Sequence, residues 1–205
     1  MSDIILKYPH SFPDEIINED IKNFNFDNLD INIEKPKPQV FAALEWIIPT
    51  SFGVYILKPY FDSFLKEAGK DHYNLLKAGI KKIISKGKEF DTKLITARES
   101  TKKLNKKYNQ SLTVSITIQT KKDINVKLLF DKGLDINDWN NAVEEITEML
   151  LEHYNDFPND LLSDEINKVN TFDKNRIYCL INPDTKKIEF YDDNSLMELT
   201  RNNNS

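Results

Sequence analysis

The stretch from Gln39 to Ile84, QVFAALEWIIPTSFGVYILKPYFDSFLKEAGKDHYNLLKAGIKKII, is the most apolar run of the chain, and every other segment has to be fitted around it. Its first half, Val40 to Leu57, carries one charge, Glu45, over 18 residues, the lower edge of what spans a bilayer. A carboxylate in the apolar phase costs about 2.5 to 3.5 kcal/mol on insertion scales. Pro49, Thr50, Ser51 and Gly53 also interrupt the run at its middle, where lipid has nothing to satisfy the freed backbone. The expectation is two short helices, 39–48 and 51–57, buried against protein, with membrane contact as the alternative. From Lys58 onward Phe61, Phe64, Leu65, Ala68, His72, Leu75, Leu76, Ile80, Ile83 and Ile84 recur at spacings of three and four, which predicts an amphipathic helix over about 58–86. Gly87 is placed to cap its C-terminus.

Ahead of this spine, DIILKY (3–8) and LDINIEK (29–35) read as strands around a short helix that carries Ile16, Ile17, Ile21 and Phe24. Pro36 and Pro38 close this strand, helix, strand arm, because proline lacks the donor that a ladder needs. Behind the spine, 89–110 shows no period. SLTVSITIQ (111–119) then alternates strictly, Lys121, Lys122 and Asp123 turn the chain, and INVKLLF returns as the second strand of a hairpin. Asp135 is an N-cap for a helix over about 136–154 with Trp139, Val143, Ile146, Leu150 and Tyr154 on one side. NDLLSDEINKV reads as a short helix, and RIYCLIN with KKIEFYD forms a second hairpin around Asn182 to Thr185.

The predicted fold class is α+β: an antiparallel sheet built from hairpins at about 111–131 and 175–192, covered by helices, with the long helix at 58–86. The expected divisions are an arm over 1–38, a helical spine over 39–88, the hairpin, helix, hairpin region over 89–193 and a frayed tail over 194–205, together forming one compact unit.

With 205 residues, 40% apolar and 11% aromatic, the chain can fill a core. The single cysteine, Cys179, excludes an intrachain disulfide and a Cys-rich zinc site, which fits a reducing compartment. MSDIILKYPH is no signal peptide, so the expected location is cytoplasmic, with a peripheral place at the inner face of a membrane as the alternative. Few glycines against many Asn, Lys, Ile and Asp look like the usage of an AT-rich bacterial genome.

No catalytic, metal-binding or cofactor-binding residue set emerges. His72 falls on the apolar stripe with Ala68 and Leu76 one turn away, and His153 lies between Met149 and Phe157, so both read as buried histidines, not as ligands. His10 sits in a proline-rich turn. Glu45 beside Trp46 reads as a structural carboxylate, either at the surface of a short helix or buried and paired, and Cys179 as a small hydrophobe on the inner side of a strand. No glycine stands at P-loop spacing before Gly69-Lys70 or Gly87-Lys88, and G-x-G-x-x-G and G-x-S-x-G are both missing. Pro183, Asp184 and Lys186 echo the carboxylates and lysine of metal-dependent nucleases, a combination that chance supplies in a chain this rich in Asp and Lys.

Charge is banded. Residues 1–34 hold eight acids and two lysines, 77–107 hold ten lysines and Arg98 against three acids, and 131–173 hold twelve acids and two lysines. With a net charge of -5, any anion contact must be local. Two surfaces follow. One is an interaction surface of Trp46, Phe52, Tyr55, Tyr60, Phe61 and Phe64, suited to a protein partner or self-association. The other is an anion or membrane contact of Lys81, Lys82, Lys86, Lys88, Lys102, Lys103, Lys106 and Lys107. Nucleic acid is disfavoured, since only Phe90 and Tyr108 supply aromatic rings beside that band. The leading expectation is a non-catalytic accessory or regulatory protein acting through protein contacts. The alternatives are a membrane-associated effector docking through 40–64 and the basic band, and a metal-dependent hydrolase or nuclease.

Overall fold

A strictly alternating segment has two unlike faces, and the strand from Gln110 to Gln119 shows what each is for. Val114, Ile116 and Ile118 are fully buried in the main core, while Ser115 and Thr117 point to the other side of the sheet and are buried there too. The computed structural model describes residues 3–8, 30–35, 52–58, 60–64, 73–74, 76–89, 110–169 and 175–202. Within them seven strands form one sheet: β1 (Ile4–Lys7), β2 (Ile31–Glu34), β3 (Phe52–Ile56), β4 (Gln110–Gln119), β5 (Asn125–Asp131), β6 (Arg176–Ile181) and β7 (Ile188–Tyr191), in the order β2-β1-β3-β4-β5-β6-β7.

Both predicted hairpins are present, as β4 with β5 and β6 with β7. The sheet that unites them is nevertheless mixed, a correction to the expected antiparallel one. β1 pairs parallel with β2, β3 with β4, and β5 with β6. Parallel neighbours need a crossover connection. Between β5 and β6 this is α2 (Ile136–Asp156) followed by α3 (Leu161–Lys168). The connection from β3 to β4 contains a π-helical turn, Tyr60–Phe64, and α1, which runs over 76–89. The strands of the 1–38 arm belong to the same sheet as the two hairpins.

Three further expectations are corrected. The segment expected to be a helix at 51–57 is β3, with Val54 and Ile56 fully buried between β1 and β4. A five-residue apolar run suits a buried strand as well as a helix, and two flanking strands decide the matter. Gly87 does not cap α1 but lies inside it, where a Cβ would come within 1.8 Å of Val114 Cγ2, so glycine lets the helix backbone lie directly on β4. The supposed tail is α4 (Asp193–Asn202), whose Leu196 packs with Leu129, Tyr178 and Leu180 on the second face of the sheet. The expected helices at 14–24 and 39–48, and the continuity of the 58–86 helix through 65–72, fall outside the described residues.

The main core lies between one face of the sheet and α1, α2 and α3. Leu76, Ile80, Ile83 and Ile84 of α1, Trp139, Val143, Ile146 and Leu150 of α2, and Leu162 and Ile166 of α3 meet the inward residues of β1 and of β3 to β6. Asp135 caps α2 as expected, accepting from the amides of Asn137 and Asp138 at 2.7 and 2.9 Å. Its carboxyl is held below the ordinary value, chiefly by the Asp138 amide. Opposite charges join the two long helices: Lys77 and Lys81 of α1 both bond the Glu144 carboxylate of α2. This bond to Lys77, with the one to Lys81, holds the Glu144 carboxyl below the usual range.

Candidate functional site

Of the sequence's histidines, the structure describes His153, and it brings a carboxylate and a hydroxyl to it. Asp160 is the N-cap of α3 and accepts from the Ser163 amide at 2.9 Å. Its other oxygen accepts from Ser163 Oγ at 2.7 Å, and Asp160 Oδ1 stands 2.9 Å from His153 Nδ1. On the far side of the ring the Lys121 amide donates to Nε2 at 3.2 Å. Nε2 is thus the acceptor, Nδ1 carries the proton, and the ring is satisfied on both sides as the neutral form. All three side chains are buried. Burial acts to raise the Asp160 carboxyl, but the two Ser163 bonds and the His153 bond prevail and hold it below the ordinary value.

The residue types match a Ser-His-Asp triad, but the arrangement does not. A nucleophilic serine faces the ring nitrogen opposite the carboxylate. Here Ser163 lies on the Asp160 side, 3.3 Å from Nδ1, and a backbone amide holds Nε2. The cluster is a buried polar clasp that ties the β4–β5 turn to the junction of α2 and α3. Sequence reading found His153 buried but missed its partners. The signal available was Asp160 three residues before Ser163, a capping pattern that follows Pro158.

The second face of the sheet carries a different row. Register places Tyr55, Thr117, Lys127, Tyr178 and Tyr191 side by side across β3 to β7. Burial, with Arg176 close by, lowers the Lys127 ammonium to about 8. Burial also raises the Tyr178 phenol, while Arg176 draws it the other way and Asp193 adds to the rise. Tyr191 is raised to about 12 by burial and by Glu189, whose carboxylate accepts from its hydroxyl at 2.5 Å. This is a polar, tyrosine-rich layer that α4 covers at the β6–β7 end.

The aromatics proposed as an interaction surface are divided by the fold. Tyr60 and Phe61 are buried, Phe61 stacking on Tyr154 at 4.2 Å between ring centroids. Tyr55 is half-buried on the second face with Lys7 over its ring, and Phe52 pairs with Val114 at the start of β3. Phe64 ends the π-helical turn, and Trp46 lies outside the described residues. Of the proposed anion-contact lysines, Lys81 bonds Glu144, and Lys88 donates to the Leu134 carbonyl while lying over the Trp139 ring. Lys82 is exposed and Lys86 half-buried, each with a partner of its own, and Lys102, Lys103, Lys106 and Lys107 lie outside the described residues. The Asp184 and Lys186 pair is split by the turn it occupies: Asp184 is exposed, and Lys186 reaches Asp138 at 3.0 Å. Cys179 is fully buried, and burial pushes its thiol well up, away from nucleophile chemistry.

The remaining feature is the edge formed by β7. Its register against β6 runs without a break from Ile181↔Ile188 to Tyr178↔Tyr191. Asn182 N donates to the Lys187 carbonyl, so Lys187, Glu189 and Tyr191 turn their backbone groups toward β6. By the alternation of an antiparallel ladder, Ile188 and Phe190 turn theirs outward. Among the described residues no strand pairs with that outer edge. Ile188 and Phe190 are half-buried, packed against the margin of the main core.

Among the described residues no group of three or more His, Cys, Asp or Glu is arranged to hold a metal ion, and no helix is long and apolar enough to cross a membrane. Comparison with known protein families, with curated proteins and with solved structures yields no match to this chain.

Proposed function

We propose that this chain is a non-catalytic accessory or regulatory protein that works by protein–protein contact, and that the outer edge of β7 receives an extended segment of its partner. The observation that supports this is the chemistry of the edge itself. Sheet edges are ordinarily blunted by proline, lysine, a bulge or a covering element. β7 reads IEFY, with neither proline nor lysine, in unbroken register with its neighbour. The outward amide and carbonyl groups of Ile188 and Phe190 match the ladder that an added strand makes, and their side chains offer apolar contact on alternate positions.

The test is affinity purification from native cells with the wild type and with Ile188→Pro. Proline at the first residue of an edge strand removes an outward donor and leaves the β6 ladder intact. Partners retained by the wild type and lost by Ile188→Pro support the reading. An unchanged set of partners removes the edge from it. Detergent in a parallel purification distinguishes this from docking on lipid, because a membrane-held set disperses while an edge-held set stays.

A further inference from the structure

The charges that flank β7 point to a particular partner for this edge. Lys186, Asp192 and Asp193 are held within the fold, Lys186 by Asp138, Asp192 by the amide and hydroxyl of Ser195, and Asp193 by burial, but the exposed Lys187 before the strand and Glu189 within it share the second face of the sheet. A base and an acid two positions apart are self-complementary when the strand is turned end to end: an antiparallel copy brings its Lys187 diagonally to Glu189 and its Glu189 diagonally to Lys187. We infer that β7 pairs antiparallel with β7 of a second copy of this chain, about a two-fold axis through Glu189, which extends the sheet continuously across the dimer. This rests on the reading of β7 as a docking edge and names its occupant.

The register follows from the hydrogen-bonding parity. A two-fold axis perpendicular to the sheet keeps each face on its own side, so only positions of the same face stand opposite each other. Centring on Glu189 sets Ile188 opposite the second copy's Phe190, and Phe190 opposite its Ile188. All four outward groups of the two residues are then used, giving four hydrogen bonds across the axis. On the core face this makes two aromatic to β-branched pairs, which are favourable cross-strand neighbours. On the second face the two Glu189 carboxylates meet at a close, non-hydrogen-bonded position. Each is already engaged, accepting from Asn182 Nδ2 at 2.7 Å and from the Tyr191 hydroxyl, and each has the exposed Lys187 of the second copy as its diagonal neighbour. Centring on Phe190 would instead set Ile188 opposite Asp192, beyond the end of the strand, where the carbonyl already accepts from Leu196.

A four-residue edge buries less than the roughly 1,200 Å² of a standard interface, so a weak, concentration-dependent association is expected. Sedimentation equilibrium of the purified chain should show the mass rising with concentration from 24.0 kDa toward twice that value, and Ile188→Pro should stay monomeric while keeping a cooperative thermal transition, lowered only by the lost contact of Ile188 with the core margin. Glu189→Cys makes the register visible. The two introduced thiols face each other at a non-hydrogen-bonded pair with Cα atoms about 4.5 Å apart, within disulfide range. Mild oxidation should give a reducible covalent dimer. Ile188→Cys and Phe190→Cys place their thiols on diagonal positions about 7 to 8 Å apart and should not cross-link. The native Cys179 is buried and does not compete.

A wild type that stays monomeric to millimolar concentration overturns the self-pairing. So does a dimer that Ile188→Pro leaves intact, since it then uses another surface. Cross-linking through Phe190→Cys in place of Glu189→Cys overturns the register. A monomeric wild type whose cellular partners are still lost in Ile188→Pro retires the dimer alone and leaves the docking edge standing, while retention of those partners retires both.

Discussion

Replacing Asp160 by alanine removes three bonds at once, and the structure permits each to be valued. The Ser163 amide loses its N-cap acceptor, which costs about 1 kcal/mol. The His153 Nδ1–H is left buried without its carboxylate, at about 1 to 3 kcal/mol. Part of that loss is recovered, because Ser163 Oγ, freed from Asp160, lies 3.3 Å from the same nitrogen and can turn a lone pair to it. The expected destabilisation is about 2 to 4 kcal/mol. Asp160→Asn keeps an acceptor for both the amide and the ring, and sets its NH₂ against a serine oxygen that can accept, so about 1 kcal/mol is expected. Urea unfolding, followed by the fluorescence of the buried Trp139 and by far-ultraviolet circular dichroism, measures both differences.

The pH dependence gives the same comparison a sign. The Asp160 carboxyl is depressed in the folded state, so its ionised form contributes stability above the unfolded value of about 3.9 and loses it as pH falls through that value and below. The gap between wild type and Asp160→Asn should therefore be full at pH 6 and shrink below about pH 4. A double-mutant cycle with His153→Phe should return a coupling on the order of 1 kcal/mol or more. Equal losses for Asp160→Ala and Asp160→Asn, or a coupling near zero, would refute the clasp: the residues would then be neighbours without mutual dependence.

Gly87→Ala should destabilise by about 1 to 3 kcal/mol, since the new Cβ meets Val114 Cγ2, and pairing it with Val114→Ala should recover most of the loss in the same denaturation assay. Lys127, lowered to about 8 when folded and near 10.4 when unfolded, binds fewer protons in the folded chain between those values. The wild type should gain stability relative to Lys127→Met as pH rises from 8 to 10, measured by thermal melts across that window. Leu196→Ala should cost about 2 kcal/mol by removing the α4 contact with Leu129, Tyr178 and Leu180, whereas a frayed tail would show no change.

Where local chemistry alone forces the answer, residues were enough. The alternation from Leu112 to Gln119 admits only a strand, Asp135 has amides within reach whatever surrounds it, and Trp139, Val143, Ile146 and Leu150 share one side of any helix they form. Ile177, Cys179 and Ile181 likewise predicted an inward face that burial bears out. These properties depend on neighbours two to four positions away, which the sequence displays.

Tertiary structure decided what depends on distant neighbours. Phe52 to Ile56 became a strand because β1 and β4 stand ready on either side, and neither can be read from five apolar residues. Asp193 to Asn202 became a helix on the second face because Leu196 finds Tyr178 and Leu180 there. His153 meets Asp160 and Ser163 only because the chain reverses between α2 and α3, and Lys121 arrives from 32 residues away. Parallel or antiparallel pairing carries no mark in either strand's own residues. Which strand ends the sheet is likewise a property of the whole topology, so the edge at Ile188 to Tyr191 appears only once the other six strands among the described residues have taken their places.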